Sequence, residues 1–468
     1  MLKDTRNEPV STTNARALDY YETALTQFQT YVGDPVETIE LALQEDPGFV
    51  LGHAFRATML LLMSERQYLP EIRKSIESAE TSPKNANDRE RGLTRAARQW
   101  LEGDWRGASV TWDKVLADHP RDALALQAGH LMDFYLGDAV NLRDRVARAL
   151  PHWDESTPGY SYVLGMQAFG YEECNDYAKA EQTGRHALEL DAKDGWAVHA
   201  VAHVLEMQTR FDEGIEFLKS RENDWAPDNG FAFHNWWHLA LYYLERCDYG
   251  RALELYDTQV NPEPTGMSLQ MLDASALLWR IHLRDVDTGN RWSTLADEWL
   301  KKVPQENGYY AFNDLHALMA LLNARRDQEA QQLLQDMEVT AQSDVGINSM
   351  MSREVGLPAA RAFAAFAHGK YAEVVDDLMH VRTRANRFGG SHAQRDVLNQ
   401  TLIEAAIRSK QHGLAHNLVN ERLAWKPHSP LAWTFKAKAN HAADDVSGAK
   451  FAEGEANKLL CNHNYKAA

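Results

Sequence analysis

Cysteine is scarce in this chain of 468 residues: Cys174, Cys247 and Cys461 are far apart, with no Cys-x-x-Cys pair. That excludes a disulfide framework and a thiolate zinc ribbon, and it suits a reducing compartment. No apolar run of about 18 residues exists, and the opening Met-Leu-Lys-Asp-Thr-Arg lacks an apolar signal segment. Neither a spanning helix nor export is therefore expected, and the cytoplasm is the default location. Basic residues are outnumbered: 49 Lys and Arg stand against 67 Asp and Glu, a net charge of −18. Nucleic acid and anionic membranes, which attract basic surfaces, are not expected as partners. Alternating strand-like runs closed by Asn-Gly or Asp-Gly are essentially missing, so helix dominates. Gly-Lys-Ser/Thr phosphate loops and a His-Glu-x-x-His motif are missing too.

What the chain does contain is a repeat. A tetratricopeptide unit spans about 34 residues, with small residues where its two helices touch, an aromatic at the turn and often Pro at its end. Gly103-Asp104-Trp105 precedes Ala108, Asn175-Asp176-Tyr177 precedes Ala180, Arg210-Phe211 precedes Gly214, and Asp248-Tyr249 precedes Ala252. Arg326-Asp327 precedes Ala330, Gly369-Lys370-Tyr371 precedes Val374, and Gln411-His412 precedes Ala415. Ala180 and Gly214 are 34 apart, Gly214 and Ala252 are 38 apart, and Ala415 and Ala449 are again 34 apart. The pattern predicts an all-α, tetratricopeptide-like helical-hairpin solenoid, a single right-handed superhelix. It runs over 1–468 without a domain break, as about ten to twelve helix pairs. The best units fall at 89–120, 161–192, 195–228, 233–260, 311–338, 396–429 and 430–462, with loops at 82–88, 153–158, 261–268, 285–291, 304–308 and 386–391.

Chemistry is suggested by histidines. His199 and His203 are four apart, as are His234 and His238, which puts each pair one turn apart on one helix side. If the first helix of each unit faces the concave surface, the middle groove is lined by Trp196, His199, His203, Glu206, His234, Trp237, Tyr162 and Phe169. His238 falls one step aside. An aromatic groove with several titratable groups has the make-up of a small-ligand site. Three readings compete. His199, His203 and His234, with Glu206 or with Asp314 and His316, offer donors for a divalent metal. Imidazoles beside Glu206 suit acid–base catalysis by a hydrolase or lyase. In the third reading these histidines only fill the core.

Two smaller constellations stand apart. Asn313-Asp314-Leu315-His316 puts His316 in the same column as His238, where packing is the favoured account. In Gly389-Gly390-Ser391-His392, Ser391 reads as a helix N-cap with Gln394 as its capping-box partner. That leaves His392 and Arg395 near a helix N-terminus, where an anionic ligand group fits.

The runs 141–148, 158–166, 196–208, 234–241 and 389–396 resemble the tetratricopeptide-repeat protein 38 family, and the likeness spreads from Pro9 to about Pro430. It implies an all-helical repeat fold and a cytoplasmic protein, and it carries no settled activity. The function expected is binding of a small, partly aromatic ligand, or of a peptide, in the concave pocket. An enzyme using His199, His203 and His234, and a protein–protein scaffold, are the alternatives. The ends of such arrays can also self-associate into homo-oligomers.

Overall fold

The computed structural model of the chain describes residues 2–81, 86–263 and 265–461. Within them helix follows helix, and the one sheet is a two-stranded antiparallel hairpin, Leu2–Lys3 against Pro9–Val10. Part of the loop expected at 82–88, and the end of the unit expected at 430–462, lie outside the described residues. The chain is an all-α, tetratricopeptide-like solenoid of helical hairpins.

The two helices of a hairpin differ in burial. First helices such as Gly195–Met207, Ala232–Glu245 and Ser268–His282 are buried nearly all round. Second helices such as Tyr177–Leu190 and Phe211–Ser220 bury one stripe and expose the other. A surface helix needs only one apolar stripe, whereas an all-round buried helix belongs to an interior. Small residues let the paired helices approach: Ala108, Ala180, Gly214, Ala252 and Ala330 are all buried at such contacts. A Cβ on Gly214 would come within 2.4 Å of the Tyr242 ring.

The concave face is not an open groove, which corrects the geometry expected from sequence. The superhelix winds so tightly that turns separated by 199 to 249 residues bond to each other. The Gly230 amide donates to Tyr31 O at 2.7 Å, and Ile347 N donates to Gly103 O at 3.0 Å. Gln67 N donates to Glu306 at 2.9 Å, and Asn386 Nδ2 donates to Gly137 O at 3.2 Å. Further along this seam His392 N donates to Glu173, and Lys426 Nζ reaches Glu206. Gly137 shows how close the turns come: its φ is +63°, and an added Cβ would sit 1.8 Å from the Asn386 carbonyl oxygen. A side chain there would force the seam apart.

Candidate functional site

Helix Gly195–Met207 starts from an Asp194 N-cap that accepts from Trp196 N and Ala197 N. It carries His199 and His203 toward helix Ala232–Glu245, which carries His234 and His238. All four imidazoles meet in the core, with one ring nitrogen from each lying within 4.8 Å of the others. His238 therefore belongs to the group rather than one step aside. It is fully buried, packed among the rings of His199, His203, His234 and Trp237.

Carboxylates stand behind three of the four rings. Asp273, from helix Ser268–His282, accepts from His234 Nδ1 at 2.7 Å. Since a carboxylate only accepts, this bond fixes the proton on Nδ1 and leaves Nε2 a bare acceptor, 3.2 Å from His199 Nε2. Glu172 Oε2 is 3.5 Å from His203 Nδ1, and Glu206 Oε2 is 3.4 Å from His238 Nδ1. Glu206 thus stands nearest His238, and Glu172 nearest His203.

Burial pushes every shifted imidazole down: His199 and His238 well below the usual range, and His203 to about 4. For His199 the neighbouring imidazoles add to burial. His199, His203 and His238 are therefore neutral near pH 7, with lone pairs available. His199 Nδ1, both ring nitrogens of His203 and both of His238 lack a hydrogen-bond partner, as do both oxygens of Glu172.

Three of the four aromatic residues expected to line a ligand groove, Phe169, Trp196 and Trp237, are the walls of this chamber. Trp237 stacks on His234 with ring centroids 5.3 Å apart, Trp196 lies 4.8 Å from His199, and Phe169 packs on His199 and His203 at 5.0 and 5.3 Å. The Tyr162 hydroxyl donates to Asp191 at 2.7 Å and borders a void of only about 10 Å³. These side chains do not form an open binding surface, because the next turn of the superhelix covers them. Asp314 and His316 do not join the four histidines either. Asp314 accepts from Gly308 N at 3.1 Å, and His316 Nδ1 donates to Phe312 O at 2.7 Å.

An open cavity lies beside the chamber. It holds about 270 Å³ at the seam, lined among others by Glu206, Arg382, His392, Arg395, Asp396 and Trp425, with Lys426 at its edge. Ser391 and Gln394 form the capping box expected of them. The helix that box starts brings His392 and Arg395 to the cavity wall, where Glu173 accepts from His392 N at 2.9 Å and from Arg395 Nη2 at 3.3 Å. Glu206 joins the two compartments: Oε1 accepts from Lys426 Nζ at 3.3 Å while Oε2 faces His238. Asp273, Trp425 and Lys426 were missed by sequence reasoning.

No family model matches the chain. Among solved structures, the human IFIT1 dimer with PPP-AAAA is similar over 96% of both chains, at 14% identity and a TM-score of 0.41. Yeast Tom70 is similar over 96% of this chain and 93% of its own, at 12% identity and TM-score 0.33. The APC/C hetero-tetramer Cut9-Hcn1 covers 97% and 95%, at 11% and 0.31. No described helix is long and apolar enough to cross a membrane. The chain is an α-helical repeat protein built of stacked helical hairpins.

Proposed function

We propose that this chain is a cytoplasmic binding protein of the tetratricopeptide-repeat protein 38 family, and that it holds a small, partly aromatic molecule with an anionic group at the seam cavity. The observation that carries this reading is the cavity itself. Three other cavities hold about 10, 20 and 30 Å³, room for a water or two, whereas this one holds about 270 Å³. Its wall presents Arg382, Arg395 and Lys426, paired with Glu421, Glu173 and Glu206, in a chain of net charge −18. Trp425 is 62% exposed and offers a flat face at the rim. Convergent cations beside an exposed indole suit a planar anion.

A second reading, acid–base or metal-assisted chemistry on that ligand, is favoured by the Glu206 contact with both Lys426 and His238. The binding reading is tested by a thermal-shift panel of small aromatic carboxylates and phosphates, with Trp425→Ala and Arg382→Ser beside the wild type. At least one compound should stabilise the wild type, and each variant should weaken its binding about tenfold, roughly 1.4 kcal/mol. If nothing in the panel shifts the wild type, or both variants bind as well as it does, the cavity is not the site and the scaffold reading replaces it.

A further inference from the structure

We propose that His199, His203, His234 and His238 form a tetrahedral site for one divalent transition ion of the zinc type, enclosed in the core of the solenoid. This goes beyond the cavity reading and stands without it.

The first argument is distance. Zinc–imidazole bonds of about 2.0–2.1 Å place the nitrogens of a tetrahedron about 3.3 Å apart. His234 Nε2 and His199 Nε2 are 3.2 Å apart, and the whole set lies within 4.8 Å. Small ring rotations close the remaining gap. The carboxylates take the same side of three rings: Asp273, Glu172 and Glu206 approach Nδ1 of His234, His203 and His238. That leaves the Nε2 atoms for a common ion, in the carboxylate–histidine–metal arrangement that orients ligating imidazoles and raises their basicity.

The second argument is the cost of the alternative. Buried polar atoms are almost always hydrogen-bonded, and each one left unpaired costs about 1–3 kcal/mol. A core that only needed filling would use aliphatic side chains here, yet imidazole nitrogens of His199, His203 and His238 and the Glu172 carboxyl have no hydrogen-bond partners. One divalent cation takes the unpaired Nε2 atoms of His203 and His238, and the carboxylates that stand near Nδ1 of the same rings offset its charge. Imidazole donors in a tetrahedral box favour zinc over calcium or magnesium, which prefer oxygen ligands. His234, with 10% of its side chain exposed where the other three rings are closed off, marks the side by which an ion enters.

The test uses the full chain, stripped with a chelator, dialysed and reloaded with zinc or cobalt(II). One ion per chain should remain after dialysis, the melting temperature should rise, and cobalt should show the intense visible bands of tetrahedral coordination. His203→Ala and His238→Ala should bind none. Asp273→Asn, which keeps all four imidazoles, should bind about 10–100-fold more weakly. If the alanine variants do not fold, the wild-type cobalt spectrum and Asp273→Asn decide the matter alone. Failure of the stripped wild type to retain either ion, a weak octahedral cobalt spectrum, or unchanged binding in the histidine variants would overturn the site. Loss of ligand binding in Trp425→Ala bears only on the cavity, since that residue touches none of the four imidazoles.

Discussion

Two buried polar clusters in this solenoid are built on opposite principles. Around Arg145 every charge is matched. Its guanidinium donates to Asp133 at 2.8 and 3.0 Å, to Asp113 at 2.8 Å and to the Ser109 hydroxyl at 2.7 Å, while Asn141 also donates to Asp133. Around His203 the ring nitrogens of His203 and His238 and the Glu172 carboxyl are unmatched, although they are buried just as deeply. The first cluster is complete as it stands and ties one helix pair to its neighbours. The second has open valences, and a folded protein tolerates those where something else is to be bound.

The contrast is sharpest under mutation. Arg145→Met should leave the buried Asp133 without its cation, held only by Ser109 and Asn141, at a cost of about 3–5 kcal/mol in urea denaturation. A loss under 1 kcal/mol would mean the network is slack and the contrast false. Asp314 is an intermediate case, with one oxygen bonded to Gly308 N and the other unpaired. Burial pushes its carboxyl up to about 8. Because that exceeds the unfolded value of about 3.9, its contribution is fully present below pH 3.9 and is lost as pH rises through the folded value. Asp314→Asn should therefore gain stability relative to wild type at about pH 9 and gain none at about pH 4. Equal effects at both would show the carboxyl is solvated. The smallest effect belongs to the histidine chamber. In chelator-stripped protein, His203→Leu should change stability by no more than about 1 kcal/mol, since it removes unpaired atoms and keeps the volume. A loss of several kcal/mol would show that this imidazole has partners of its own.

Much of this was legible in the chain. The small residue after each aromatic turn located the hairpins, because close helix approach demands it, and Ala180, Gly214 and Ala252 are buried at such contacts. The four-residue spacing of the histidines placed each pair on one side of its helix. What the repeat pattern could not convey was the pitch of the superhelix. Position within a unit says which face a residue takes, but not whether another turn covers that face. Phe169, Trp196 and Trp237 were thus read as a groove lining and turned out to be packed walls, while Tyr162 is half-buried beside a small void. For the same reason Lys426, 220 residues from Glu206, and Asp273, outside the best repeat units, left no local signal.

The seam also changes how the molecule should come apart. In an open solenoid each unit leans on its neighbours alone, so the ends fray first and the array melts piecewise. Here the first hairpin is stitched to Asn229 and Gly230, and helix Gly195–Met207 is tied to Lys426 near the far end. Closing such distant contacts is entropically costly and slows folding. Once closed, they make the ring open as a whole. Amide hydrogens in helix Ala15–Thr30 should then exchange through the same global opening as those in helix Gly195–Met207, rather than through a frayed end.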